Sequence, residues 1–525
     1  MQSPVNAFSL PAVLDELARA RPTHLAVACG QDRHDYRTLR ERVLRLAGGL
    51  EAAGVGPGDR ILWLGQNSHR VLESVLAAAC LGAMFCPVNW RQSAAELAFV
   101  IDDLQPKIVF WQQEEIGAAV LAAKSLATWG TAAWFQHDAP IHDDPIHDDL
   151  GGYEALIADA APVGPDRPVD PAQPVLVVYT AAFQGRPNGA MLSQTAILLQ
   201  DLVVQRVQDL SHKTVFLNSG PMFHVGTLMT TFATFHIGGT NVFIRRSDGE
   251  ELARTIHEHR CTFAFLVGKQ CQDIVLANRD GRYDLKCLTS PPFFPEWDVM
   301  VTINDRDLRN GPYGYGQSEV DGLITWTFYA FGAGLGTHGR VSPITQLRIA
   351  GPDGEDLPEG EVGEILLRGP TVMSGYWNRP DINAERQRGG WHHTHDLGRR
   401  EADGSVSFIG PKTQMIKSGV ENIYPAEVEG CLKQHPAVAD AAIIGVPDPQ
   451  FIQTVKAIVQ LKAGAAVGAA ELIEHCRARM ASYKKPKSVE FVAALPRTPV
   501  GFIDYRALDA GFGGGNYPGG ALRGS

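Results

Sequence analysis

The chain has 525 residues, a formal net charge of −11 and a pI near 5.9, with 45% hydrophobic and 20% charged residues. That length exceeds what one core holds, so two or more domains are expected, and the acidic balance excludes nucleic acid as the main partner while leaving room for a local basic patch facing one phosphorylated ligand. Eight cysteines without a CxxC pair read as buried reduced thiols, with neither a metal site nor disulfides.

Along the first half, helical and strand patterns alternate. Tyr36 to Ala53 is amphipathic at helical period, Gly54 to Gly58 is a turn, Ile61 to Leu64 a short buried strand, and about Ser68 to Leu81 a second helix. The most apolar stretch, Val75 to Val88, is too short for a membrane span and is broken by Pro87. The N-terminal residues lack the basic start and apolar run of a signal peptide, so a cytoplasmic protein without a membrane span is expected. The duplicated segment Ile141 to Leu150, rich in His and Asp, reads as a solvated loop because nothing aligns its side chains as ligands.

Near Ile409-Gly410-Pro411 the character changes. Pro425 suits the first turn of a helix, and Glu427 and Glu429 suit its dipole. Strands at about Val438 to Val446 and Val455 to Leu461 follow, then a helix from about Ala469 to Met480. The expected organisation is an α/β domain of layered mixed sheets and helices over residues 1–411, a small mobile α+β domain over 412–510, and a glycine-rich tail, 511–525, without structure.

Six stretches then carry a resemblance. They are Tyr179-Thr180 through Gly189; Pro221-Met222-Phe223-His224; Tyr315-Gly316-Gln317-Ser318-Glu319; Trp391 to Asp396; Ile416-Lys417-Ser418-Gly419 with Glu421 to Pro425; and Leu495-Pro496-Arg497-Thr498. In this order the chain resembles the adenylate-forming superfamily of acyl-CoA synthetases, luciferases and peptide-synthetase adenylation domains. The resemblance implies a two-step enzyme: a carboxylate and ATP give an acyl-adenylate, the small domain swings, and the thiol of CoA displaces AMP.

Several residues of that pattern are replaced. The phosphate loop of the family reads roughly Tyr-Thr-Ser-Gly-Thr-Thr-Gly-x-Pro-Lys-Gly, whereas here Ala181, Ala182, Phe183 and Gln184 stand in its hydroxyl and glycine positions and Asn188 in that of the lysine. Such a loop holds polyphosphate through N–H groups, hydroxyls and one cation. The family's final Gly-Lys is Gly501-Phe502, and an apolar ring cannot stabilise charge developing on phosphorus. Losing one preorganised donor typically costs about 3–4 kcal/mol, a factor of 10²–10³ in rate. The family's ribose-contacting Gly-Arg is Gly410-Pro411, the hinge residue is Gln414, Ser290-Pro291-Pro292 replaces the adenine-side Gly-Gly-Ala, and Thr-Gly-Asp has become Thr394-His395-Asp396.

What the resemblance keeps suits the second step. It implies acyl-adenylate contacts from Tyr315 on adenine, Ser318 and Glu319 near the phosphate, and Asp396 on the ribose diol. It also implies His224 and Gly419 at the reacting acyl group and pantetheine, with Lys417, Ser418 and Lys484 toward CoA. Lys417, Lys484, Lys485 and Lys487 read more simply as solvated surface, His224 could instead be a packed core histidine, and Glu319 and Asp396 surface carboxylates. The expected activity is that of a non-adenylating acyl-CoA ligase, acyl-AMP plus CoA giving acyl-CoA plus AMP, on a bulky specialised-metabolite acid. The pattern resembles the split-reaction ligases of platensimycin- and platencin-type antibiotic biosynthesis. CoA and acyl-AMP are then the substrates, magnesium is not essential, and a separate ATP-using enzyme supplies the adenylate. A homodimer remains open. The alternatives are a complete ATP-dependent synthetase using Arg186, Lys412 or Lys417 as substitute cations, and an inactive binding or scaffold homologue. Val225 to Gly239 and Phe331 to Gly339 are expected to border the acyl pocket.

Overall fold

In the computed structural model, residues 8–138, 152–164, 167–180, 187–304, 314–326, 338–351, 353–411, 415–419, 421–497, 503–515 and 517 are described. The expected positions Gln414 and Phe502, the phosphate-loop residues 181–186, the His/Asp duplication and residues 331–337 lie outside them.

Short apolar runs such as Arg60–Leu64 (RILWL) and Ile108–Trp111 (IVFW), buried on both faces, make a parallel sheet. With Met84–Pro87, Ala133–Gln136, Pro174–Thr180, Asn188–Ser193 and Gly375–Tyr376 they form a seven-stranded sheet whose last two strands are antiparallel. A five-stranded sheet runs Phe263–Ala264, Val215–Asn218, Thr240–Phe243, Leu25–Cys29 and, antiparallel at the edge, Asp32–Asp35.

The helix His69–Leu81 touches strands of both these sheets, and every residue of it except Arg70 is buried. This explains an apolar run without amphipathic alternation: the helix has no solvent face. Ser68 caps its start by accepting the N–H of Arg70, and Gly82 ends it at φ 67°, the left-handed conformation that glycine adopts without strain. The amphipathic Tyr36–Ala52 packs beside it, capped by Asp35. A four-stranded antiparallel sheet, Gln346–Ala350, Gly363–Arg368, His392–Arg400 and Val406–Pro411, completes this part of the chain.

After residue 411 the chain enters a second domain, whose five-stranded sheet is built on the antiparallel pair Val438–Asp448 and Ile452–Leu461. Ile416–Ser418, Glu421–Ile423 and Ser488–Val492 extend it, and helices Pro425–Lys433, Ala469–Arg477 and Tyr505–Phe512 cover it. Its own core includes Ile423, Val428, Leu432, Val455 and Leu472. The mixed α/β class with a large N-terminal and a smaller C-terminal domain is thus observed.

The expectation of a structureless tail over 511–525 is corrected for residues 511–515 and 517, while 516 and 518–525 lie outside the described residues. The helix runs to Phe512, Gly515 N–H donates to Gly445 O at 3.0 Å, and Tyr517 is buried in the small domain. The Tyr517 hydroxyl accepts from Gly445 N and donates to Asp509 Oδ1, both at 2.9 Å. One aromatic ring with a satisfied hydroxyl anchors a segment whose glycines cannot bury anything themselves.

Candidate active site

Glycine on either side of Tyr315 lets the hairpin close: a Cβ at Gly314 or Gly316 would sit 1.8 Å from a carbonyl oxygen, of Thr325 or Gly322. So held, Tyr315 packs its ring on Phe408, with centroids 5.4 Å apart and planes at 24°, and donates its hydroxyl to Asp396 Oδ2 at 2.7 Å. Gln317 Nε2 donates to the Tyr315 hydroxyl at 3.0 Å, and Gln317 Oε1 meets His392 Nε2 at 3.0 Å. The two residues read as adenine and ribose contacts are therefore bonded to each other.

Burial lifts the Asp396 pKa to about 7, with nearby Glu319 adding to the rise and the Tyr315 hydroxyl opposing it. Asp396 N–H donates to Thr394 Oγ1, and Thr394 in turn donates to Ile365 O. Between them His395 has φ 58°, in the left-handed region. The replacement of glycine by histidine here thus retains a turn that glycine makes without strain, at a cost of about 1–2 kcal/mol. Across the strand pair, Asp396 sits opposite Pro411.

Ser318 and Glu319 lie on a single 3₁₀ turn. Glu319 is buried and accepts the Tyr376 hydroxyl at 2.8 Å, so it is not a surface carboxylate.

His224 precedes the helix Val225–His236 and caps it, its Nδ1 accepting the Gly226 N–H at 3.1 Å. A backbone N–H can only donate, so in the neutral ring Nδ1 is the acceptor and the proton is on Nε2. The imidazole is reachable by solvent yet surrounded by protein, which places it in a cleft rather than in a core. Desolvation and the charge of Lys417 hold its pKa down to about 4.

Lys417 comes from the small domain, where burial lowers its own pKa against the pull of Glu421. The strand Ile416–Ser418 turns at Gly419, which has φ 61°, and among the described residues, its chain neighbours apart, no atom lies within 4 Å of the position a Cβ would take. Lys484 is corrected as a solvated lysine. It is 4% exposed, and its ammonium binds Glu427 at 2.6 Å and Glu96 of the large domain at 2.7 Å. Those carboxylates raise its pKa against the effect of burial, and its charge serves the domain interface.

Asn188, in the place the resemblance gives to the phosphate-loop lysine, lies within the described residues. It is 5% exposed and accepts from Arg379 Nε at 3.0 Å. Arg379 also pairs with Asp103 at 2.6 Å, and Asp103 accepts the Tyr179 hydroxyl at 2.7 Å. An amide thus occupies the lysine's place inside a closed network.

Reading the sequence alone missed Arg379, and it missed Asn67. The Asn67 side chain donates to Asn218 O and Gly220 O at 3.2 and 2.7 Å and accepts Met222 N–H at 3.0 Å. It holds the segment leading to His224. The only signal was a polar residue between a buried strand and a buried helix.

A cavity of about 720 Å³ is lined by Met229, Phe263, Phe265, Phe293, Leu323 and Trp326 among others; Gly314, next to Tyr315, also borders it. Met229 belongs to the expected Val225–Gly239 border, and Ser290 and Pro291 also reach this wall. No helix among the described residues is long and apolar enough to cross a membrane.

The family described as AMP-binding enzyme matches residues 14–377, and its C-terminal domain matches 427–501. A feruloyl-CoA synthase from an Amycolatopsis species is 36% identical over 493 residues, covering 93% of this chain and 95% of that protein. The indoleacetate–CoA ligase of Aromatoleum aromaticum is 33% identical over 511 residues, covering 95% and 97%. An amide bond synthetase from Marinactinospora thermotolerans shares the fold, with TM-score 0.76 at 23% identity over 96% of this chain and 100% of that one. The chain belongs to the AMP-binding, adenylate-forming enzyme family, in its acyl-CoA synthetase-like branch.

Proposed function

We propose that this enzyme carries out the thioester-forming half-reaction alone, acyl-AMP plus CoA giving acyl-CoA plus AMP. The observation that carries the reading is Asn188: the position of the phosphate-loop lysine holds an uncharged side chain, buried and committed to Arg379. The Phe502 substitution in the sequence removes the second cation.

The chemistry left to the protein is modest. The CoA sulfur attacks the acyl carbonyl carbon, a tetrahedral oxyanion forms, and the carbon–oxygen bond to phosphate breaks with its electron pair leaving on AMP. The thiol proton is released to solvent. A thiol with pKa about 8.5 is several per cent ionised near neutrality, and the anhydride is already activated, so positioning supplies much of the acceleration. With its Nε2 hydrogen, His224 donates to the carbonyl oxygen as charge develops there. With Nδ1 occupied and a low pKa, it is not the base. Tyr315 and Asp396 hold the nucleoside, and Gly419 leaves room for pantetheine beside Lys417.

The cavity's size and aromatic lining, together with relatives named for feruloyl and indoleacetate groups, favour a bulky, ring-containing apolar acid. A separate ATP-using enzyme supplies its adenylate, and magnesium has no pyrophosphate to hold in this step. Assaying the two half-reactions apart tests the reading. Synthetic acyl-AMP with CoA is expected to give thioester, and ATP–pyrophosphate exchange with matching acids to stay at background. Robust exchange would make the protein a complete synthetase; no thioester from any bulky acyl-adenylate would make it a binding homologue.

A further inference from the structure

On the side of the helix His69–Leu81 that faces the edge strand Asp32–Asp35, three side chains converge. His69 and Glu73 are four residues apart on one helical face, and His34 comes from the edge strand. One ligand atom from each lies within 4.8 Å of the others, and the two imidazoles meet edge to face with centroids 5.3 Å apart.

His69 is fully buried, and neither of its ring nitrogens has a hydrogen-bond partner among the described residues. An orphaned buried polar atom costs about 1–3 kcal/mol, so such a residue calls for a partner. Glu73 is fully buried as well. Its Oε1 takes a short bond from Arg42 Nε at 2.6 Å, while Oε2 is held more loosely, by Arg42 Nη2 and the Tyr153 hydroxyl, each at 3.1 Å.

We propose that His34, His69 and Glu73 form a binding site for one zinc(II) ion, with a water as fourth ligand. Two imidazoles and a carboxylate are a ligand set zinc accepts, at about 2.0–2.2 Å from each donor. Donors around such a tetrahedral ion stand about 3.3 Å apart, so the present cluster closes by an ångström or so. His34 is the member free to move, being half-buried on an edge strand. Glu73 binds through Oε2 alone, and Arg42 keeps Oε1, as outer partners of a ligating carboxylate do. Asp32 and Glu154 add negative charge nearby, against Arg42 and Arg70. The ion would join the Leu25–Asp35 hairpin to the helix whose leading loop carries Asn67, outside the reacting centre.

The test is metal content of the full-length untagged enzyme, loaded with zinc, gel-filtered and analysed by plasma mass spectrometry. About one zinc per chain is expected. His34→Ala and His69→Gln are each expected to lower it at least tenfold. His34→Ala guards against misfolding, because that residue is half exposed and circular dichroism can verify the fold. Cobalt(II) substitution should give the visible absorption of a four-coordinate ion in the parent and not in His34→Ala. Zinc should raise the melting temperature of the parent and leave that variant unmoved. Substoichiometric zinc in the parent overturns the site, as does zinc retained in both variants.

Discussion

Two ends of the proposed nucleotide site depart from the pattern the chain resembles, and they depart differently. At the ribose end, His395 replaces a glycine, yet it takes a left-handed φ of 58° and Asp396 still reaches Tyr315. At the phosphate end, Asn188 replaces a lysine, and the site has closed around the new side chain through Arg379 and Asp103. The contrast separates two kinds of role. A residue that only shapes the backbone can be replaced at a cost of about 1–2 kcal/mol in strain. No rearrangement of neutral atoms reproduces a charge aimed at a phosphate.

The sharpest way to break this comparison is to restore the lysine. Asn188→Lys puts an ammonium beside the Arg379 guanidinium, with Asp103 already paired, and should destabilise the fold by about 3 kcal/mol in urea unfolding. It should leave ATP–pyrophosphate exchange at background. A variant as stable as the parent with measurable exchange would mean the phosphate end is as forgiving as the ribose end.

Next in size is His224. Replacing it with alanine should lower the thioester-forming rate by about 10²–10³, and glutamine, which keeps an N–H donor, should recover part of that. With a pKa near 4, its titration should be absent from the rate profile between about pH 5 and 8. A limb in that window which vanishes in His224→Gln would instead identify it as a base.

The ribose end predicts a pH effect of definite sign. Burial lifts the Asp396 pKa to about 7 in the folded protein, against 3.8 for an ordinary aspartate. Between those values the folded state binds the extra proton more tightly, so this group's stabilising contribution is fully present below the window and is lost as pH rises through it. Asp396→Asn should flatten that slope in pH-dependent unfolding. An unchanged slope would place the carboxyl elsewhere. The smallest effect is at His395: glycine there should raise stability by about 0.5–1 kcal/mol, and a loss would show that the histidine side chain, facing Glu385 at 3.6 Å, does more than tolerate its turn.

The sequence by itself determined the elements whose signals are local. Ser68 and Gly82 bracket the helix His69–Leu81, Pro425 opens the helix Pro425–Lys433, and the strands Val438–Asp448 and Ile452–Leu461 contain the expected runs Val438 to Val446 and Val455 to Leu461. The order of motifs was equally legible, so the family and the two-domain α/β architecture followed. What only the tertiary structure decided concerns partners distant along the chain. Lys484 reads as solvated in sequence because Glu96 is 388 residues away, and Tyr517 lies in a glycine-rich tail whose anchor is Gly445, 72 residues earlier. Asn67 and Arg379 matter through bonds to segments more than 150 residues distant, and the same holds for the commitment of Asn188. Caps, turns and periodicity act over a few residues and are written in the local chain. Desolvation and pairing of charge depend on which surfaces fold together, and no local pattern encodes that.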